Sequence, residues 1–115
     1  MANKTALPRV SPGQMQAHAG EASNLLRAMA SEHRLMVLCS LVQGEMPVSD
    51  LLVRVPLAQS ALSQHLAVLR RERLVSTRRE GQTVYYKLRP GPALDIIRVL
   101  YQSFCCTQTG QGRSG

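Results

Sequence analysis

The amino-acid sequence predicts a mainly α-helical protein that carries one β-hairpin. Apolar residues recur at three- and four-residue steps in several segments, and after Leu74 this period changes to the alternation of β-strands. The chain has 115 residues, a length typical of one domain, with no Trp, one Phe and three Tyr. Its core must therefore be built from aliphatic side chains, which favours packed helices.

Four helices are expected before the hairpin. The first runs from about Gln16 to Ala30, and the second begins at the cap residue Ser31 and ends near Gln43. Pro47 opens the next turn, a short third helix covers Val48 to Arg54, and the fourth extends from about Ala58 to Arg71. Residues 1–15 are expected to form a disordered tail.

A hairpin and a last helix are expected to follow. β-branched and aromatic residues alternate in Val75 to Arg79 and in Thr83 to Leu88, and Glu80-Gly81-Gln82 joins the two segments. The last helix starts near Pro92. It is expected to bury Ile96, Ile97, Leu100 and Phe104. Residues 16–106 then make up the domain, and residues 107–115 a second disordered tail.

The fourth helix is expected to have two unlike faces. At about 100° per residue, one face carries Leu62, Leu66 and Leu69. The opposite face is polar and carries Ser60, Ser63, Gln64 and Arg71. An ordinary solvated face carries Glu and Lys, whereas short hydroxyls and amides can hydrogen-bond to base edges. We therefore expect this face to read DNA.

Positive charge is concentrated next to that helix. The chain has 14 basic and 7 acidic residues, and five of its seven net positive charges lie between Arg70 and Arg89. A solvated face is the simpler interpretation of such an excess, but a cluster this dense suits a polyanion. The order of elements, the polar fourth helix and the basic hairpin together describe a winged helix-turn-helix domain.

The predicted DNA contacts fall into two groups. Ser60, Ser63 and Gln64 are expected to read bases, with Gln59 and His65 beside them and His65 either packed or facing a phosphate. The side chains expected to hold phosphates or the minor groove are Arg70, Arg71, Arg78, Arg79 and Gln82.

Two segments, ASEHRLMVLCSL and SALSQHLAVLR with the short wing that follows, resemble the ArsR/SmtB family of bacterial repressors. The resemblance covers roughly residues 20 to 106. It implies a homodimer through the first and last helices that binds double-stranded operator DNA at an inverted repeat. The chain departs from the family at Ala58, where Ser is usual, and at Arg73, where Gly is usual.

Metal binding is not favoured by the residues present. Many relatives bind metal through a Cys-x-Cys pair on the third helix or an Asp/His set on the last one. Here Ser49 and Asp50 occupy the third helix, and Asp95 has no downstream His. Zinc needs about four ligands, and the three histidines lie in different elements: His18, His33 and His65. We expect no metal and no cofactor; a metal-responsive repressor remains an alternative.

The three cysteines are too few for a secreted disulfide framework. Cys39 on the second helix and Cys105 near the end of the last one resemble the pair in the reactive-sulfur sensors of the BigR, SqrR and HlyU type. The resemblance implies that persulfide links the two thiols and releases DNA, with a reactive sulfur species or oxidant as inducer. Spacing leaves Cys106 open as a bystander, a second resolving thiol or the true partner.

Other functions receive less support. No Cys-x-x-Cys motif or nucleophile-base pattern indicates a thiol enzyme, so we expect no enzyme. A constitutive DNA-binding module with purely structural cysteines remains open, because Cys39 alone could be a small buried hydrophobe. No apolar run approaches the ~18 residues that span a bilayer, and no secretory signal precedes the domain, so we expect a cytoplasmic protein without a membrane partner.

Overall fold

A computed structural model describes residues 7–105. The elements are α1 (Pro12–Met29), α2 (Glu32–Leu41), β1 (Met46–Pro47), α3 (Val48–Arg54), α4 (Gln59–Arg71), β2 (Val75–Glu80), β3 (Thr83–Leu88) and α5 (Pro92–Phe104). The predicted class, helices completed by a β-hairpin wing, is confirmed. The proposed C-terminal tail and Cys106 lie outside the described residues. Within these residues, no helix combines the length and the apolar character needed to cross a membrane.

The first helix begins earlier than the sequence pattern predicted. Residues 12–15, assigned above to a disordered tail, form its first turn. The Ser11 hydroxyl accepts from the Gln14 backbone N–H at 3.1 Å, and the Gln14 side chain accepts from the Ser11 N–H at 3.0 Å. This capping box satisfies two backbone donors, and Pro12 fits the first helical position. The polar composition of the segment concealed these signals.

Helix α2 lies at the centre of the core and packs against α3, α4 and α5. The predicted apolar face of α4 is confirmed, because Leu62, Leu66 and Leu69 are fully buried. Burial declines along α5 from Ile97, which is inaccessible, through the half-buried Leu100 to Phe104, which is 74% exposed. The prediction that Phe104 is buried was wrong, because the last turn of α5 extends beyond the core.

The wing is a three-stranded antiparallel sheet with strand order β1-β3-β2. Strands β2 and β3 pair from Val75↔Leu88 to Glu80↔Thr83, so the turn contains two residues and not the predicted three. Gly81 has φ +63°, a left-handed conformation that glycine adopts without strain. Strand β1 was not predicted. Pro47, expected only to open a turn, pairs with Tyr85 of β3.

The two ends of α4 depart from the usual helix signals. At its start, Ala58 supplies no side-chain cap. At its end, the Leu74 N–H donates to the Leu69 carbonyl at 2.8 Å and the Arg73 N–H to the Arg70 carbonyl at 3.0 Å. This pattern is a Schellman motif, in which Arg73 occupies the left-handed position with φ +64°. A side chain there costs roughly 1 kcal/mol relative to glycine.

Candidate nucleic-acid interface and thiol pair

The predicted base-reading residues share one exposed face of α4. Gln59, Ser60, Ser63 and Gln64 are all exposed, and their three- and four-residue spacing places them side by side. The helix is held from the opposite side by its buried leucines. The arrangement presents two hydroxyls and two amides on a helix that is packed firmly against the core. These are the groups needed to contact base edges in a major groove.

Positive side chains flank that face at the end of α4 and on the wing. Arg70 and Arg71 are exposed in the last turn of α4, and the Arg71 Nε lies 3.7 Å from a Glu72 carboxylate oxygen. Arg79 and Gln82 are exposed near the tip of the hairpin. Within residues 7–105, Arg79 makes no salt bridge, so its charge is available to a phosphate.

Arg78 differs from its neighbour Arg79. Its guanidinium donates to Glu45 at 2.8 Å and to Glu80 at 2.9 Å, and it lies 4.5 Å above the Tyr85 ring. The hydrogen bond from Arg78 lowers the pKa of Glu45. Two carboxylates therefore offset the charge that was expected to hold a phosphate. The geometry favours a role for Arg78 in fixing the wing to the segment before β1.

His65 lies beside the reading face but points one ring nitrogen into the protein. Its Nδ1 accepts a hydrogen bond from the Arg34 Nε at 3.2 Å, and its ring centroid lies 6.0 Å from that of His33. Burial lowers the pKa of His65, and the nearby Arg34 and His33 lower it further. Among residues 7–105, no three His, Cys, Asp or Glu side chains are grouped closely enough to hold a metal ion.

The structure brings Cys39 and Cys105 together. Cys39 is half-buried on α2, whereas Cys105 directly follows α5 and is exposed; both are free thiols. Burial raises the pKa of the Cys39 thiol, and the adjacent Cys105 thiol raises it further. The pair lines an apolar cavity of about 220 Å³ with Leu35, Leu100 and Phe104. It also lines a more polar cavity of about 370 Å³.

Three hydrogen-bonded side chains, which the sequence analysis missed, form a polar chain across the second cavity. The Gln43 side-chain amide donates to the Tyr101 hydroxyl at 3.0 Å, and Arg54 donates to the Gln43 amide oxygen at 3.5 Å. Tyr101 lies one turn before Cys105, and Gln43 lies four residues after Cys39. This polar chain connects α5, the segment that follows α2, and α3. Only the four-residue spacing from each cysteine could have indicated it.

The terminal helices leave apolar side chains uncovered. Met15 and Leu26 of α1 are 57% and 52% exposed, and Val99 and Phe104 of α5 are 60% and 74% exposed. Side chains of this size on the two terminal helices are typical of a surface that packs against another chain.

Comparison with known proteins identifies the family. A family model described as bacterial regulatory protein, arsR family, matches residues 31–77. The transcriptional activator HlyU of Vibrio cholerae is 47% identical over 92 residues, which cover 80% of this chain and 85% of HlyU. The chain belongs to the arsR family. Proteins of this arsR type are DNA-binding transcriptional regulators, not enzymes; they bind operator DNA and typically act as dimers.

Solved structures agree with this arsR-family assignment. Reduced HlyU from Vibrio cholerae superposes with a TM-score of 0.77 at 47% identity, and covers 80% of this chain and 97% of that one. The repressor BigR from Xylella fastidiosa gives 0.78 at 35% identity, with 89% and 100% covered. The predicted winged helix-turn-helix fold is therefore confirmed.

Proposed function

We propose that this arsR-family regulator is a homodimer that binds an operator inverted repeat when its thiols are reduced, and leaves it when reactive sulfur crosslinks Cys39 and Cys105. The observation that carries the proposal is the placement of these two thiols, from different helices, at the same two cavities. One of the similar structures is that of HlyU in its reduced state, which is consistent with a redox-dependent role for the relative. The DNA contacts are those of α4 and the wing, with Arg78 acting mainly through the wing itself.

The two thiols differ in reactivity. The thiolate is the nucleophile, and burial disfavours it at Cys39, whereas Cys105 is exposed at a helix end. Cys105 therefore reacts first with a persulfide R–S–SH. Its sulfur attacks the outer sulfur of the donor, the donor S–S bond breaks, and R–SH leaves, so that Cys105 carries one added sulfur.

A second donor molecule completes the crosslink without another oxidant. The Cys105 persulfide takes the outer sulfur of a second R–S–SH and again releases R–SH. Cys39 then attacks the sulfur that is bonded directly to the Cys105 Sγ, and hydrosulfide leaves. The product is a trisulfide between Cys39 and Cys105. The added sulfur makes the link between the two Sγ atoms longer than that of a plain disulfide.

The polar chain gives the crosslink a route to the DNA-binding helices. Tyr101 on α5 and Gln43, two residues after α2, connect to Arg54, the last residue of α3, and α3 precedes the recognition helix α4 along the chain. A shift of the last turn of α5 against α2 therefore alters the support of α3 and α4. About 3 kcal/mol of coupling would weaken DNA binding roughly 150-fold, which is sufficient for a switch.

The DNA-binding half of the proposal is tested with the reduced protein. It should sediment as a dimer and protect an inverted repeat whose half-sites are about 34 to 36 Å apart. If the dimer neutralises four or more phosphates, the plot of log affinity against log salt should have a slope of about −3.6 or steeper. A monomer that binds DNA, or a slope near zero, contradicts this half.

The sensing half is tested with a persulfide donor. We expect DNA release in a mobility-shift assay, and mass spectrometry of the digested protein should show Cys39 and Cys105 peptides joined through added sulfur. The Cys106→Ser variant should still respond, and a response lost only in that variant would assign the partner role to Cys106. Release by divalent metal with reduced thiols would support a metal sensor, and binding unaffected by either treatment would support a constitutive module.

A further inference from the structure

A single guanidinium joins three helices next to the recognition surface. Arg34 lies in the first turn of α2, and its Nη1 donates to the Ala28 carbonyl at the end of α1 at 2.8 Å. Its Nε donates to the Nδ1 of His65 on α4 at 3.2 Å. Both hydrogen bonds are partly buried, so solvent screens them less than surface contacts. The side chain therefore links a terminal helix to the recognition helix.

The bond to His65 fixes the protonation of the imidazole. Guanidinium nitrogens donate hydrogen bonds and never accept them, so the Nδ1 that receives the Arg34 N–H carries no proton. In the neutral ring, the proton then resides on Nε2. A protonated ring would instead direct an Nδ1–H toward the Arg34 N–H, and two donors would face each other.

Arg34 and His33, the charged neighbours that act on the ring, also disfavour its protonation. The ring centroid of His33, on α2, lies 6.0 Å from that of His65. Arg27 of α1, held by Asn24 at 2.7 Å, and Arg71 of α4 line a cavity of about 450 Å³ with Arg34, and Glu72 is the acidic residue in that lining. The pKa of His65 is lowered first by burial and then by Arg34 and His33, so the ring is neutral at physiological pH.

We propose that Arg34 is a positioning residue that sets the recognition helix against α1 and holds His65 as a neutral Nε2–H donor toward a DNA phosphate. Acidification should then weaken DNA binding by the reduced protein. This sign is opposite to simple electrostatics, in which protonation adds positive charge and strengthens binding to a polyanion. The proposal depends on DNA binding and does not depend on thiol chemistry.

The pH profile of DNA affinity tests the proposal. The probe is the tightest-binding duplex selected from a random pool, with reductant present and salt constant. We expect wild-type affinity to fall on the order of tenfold, or ~1.4 kcal/mol, as the pH is lowered from about 7.5 to 5.5. The His65→Asn variant should lose this fall, because the amide oxygen can replace Nδ1 as the acceptor and does not titrate. The His18→Asn variant, altered at an exposed histidine of α1, should keep it.

Two further measurements separate positioning from folding. The ¹⁵N signals of His65 should show the Nε2–H tautomer in the wild type and should lose that preference in Arg34→Lys, whose single ammonium cannot span both acceptors. His65→Leu, which removes the acceptor, should bind weakly throughout the pH range. Wild-type affinity that rises on acidification, or an Nδ1–H tautomer at neutral pH, would overturn the proposal even if the thiol switch operates as proposed.

Discussion

Helix α4 and the wing are held in place by buried side chains and by strand pairing. The thiol pair, in contrast, lies at the edge of the core, where packing is sparse. Three fully buried leucines hold α4, and β3 is paired on both edges. Cys39 is only half-buried, Cys105 follows the last helical residue, and the adjacent Phe104 is largely exposed. A reading surface needs preorganised geometry, while a covalent sensor needs a segment that can move at low cost. Under the proposed function, the DNA-binding surface is rigid, and the thiols that control it lie in a loosely packed part of the fold.

Changes at the thiols in the loosely packed part of the fold should have the largest effect. Under persulfide donor, Cys39→Ser and Cys105→Ser should each keep DNA bound, because neither can form the crosslink. The roughly 150-fold loss of affinity expected for the wild type should then be absent. Fluorescence anisotropy of a labelled duplex, with and without donor, measures this. If both variants still release DNA, the thiols are structural and the contrast between the two regions has no regulatory meaning.

A change on the rigid DNA-binding surface should affect specificity. Gln64→Ala should reduce discrimination between the selected duplex and random DNA by about 1–3 kcal/mol, the range for an amide that contacts a base. Competition binding measures the ratio directly, and Arg79→Ala is the matched comparison because it should weaken both duplexes alike. Equal loss of specificity in the two variants would place the reading residues elsewhere.

The adjacent arginines of the wing provide a smaller and sharper test. Arg79→Ala should reduce the magnitude of the salt slope by about 1.8, since each protomer of the dimer loses one phosphate contact. Arg78→Ala should leave the slope nearly unchanged, because Glu45 and Glu80 already occupy its donors. Its effect should instead appear as a lower thermal unfolding midpoint. An equal change of slope in both variants would show that Arg78 exchanges its carboxylates for phosphate when DNA binds.

The smallest effects should come from the two ends of α4. Ala58→Ser supplies the missing cap and Arg73→Gly removes the side chain from a left-handed residue, so each should raise the free energy of unfolding by about 1 kcal/mol. Urea titration of the reduced protein measures both values. No gain in Arg73→Gly would mean that contacts of the arginine side chain offset its backbone strain.

Local patterns predicted most of this structure, and long-range pairings account for what they missed. The leucine stripe of α4 and the alternation of the hairpin are periodic patterns within one short segment, so the sequence alone reveals them. Strand β1 has only two residues and exists because they pair with β3 about forty positions later. Helical periodicity indicated the apolar face of α5 but not where the core stops supporting it, and Phe104 was assigned wrongly for that reason.

The functional side chains show the same division. The exposed polar face of α4 was predicted because residues three and four positions apart lie on the same side of a helix. The neutralisation of Arg78 depends on Glu45, which is 33 positions away, and the orientation of His65 depends on Arg34, which is 31 positions away. Neither partner is marked in the sequence. The pairing of Cys39 with Cys105 was predicted from a family resemblance, and the structure places both residues at the same cavity.

The composition of the small sheet also bears on solubility. Its edge strands are β1 and β2, because β3 lies between them. One edge is only two residues long and contains Pro47, which has no N–H to offer an incoming strand. The other edge carries Arg78, Arg79 and Glu80, whose charges oppose stacking against a like strand. The wings of neighbouring molecules are therefore poorly suited to join edge to edge into aggregates.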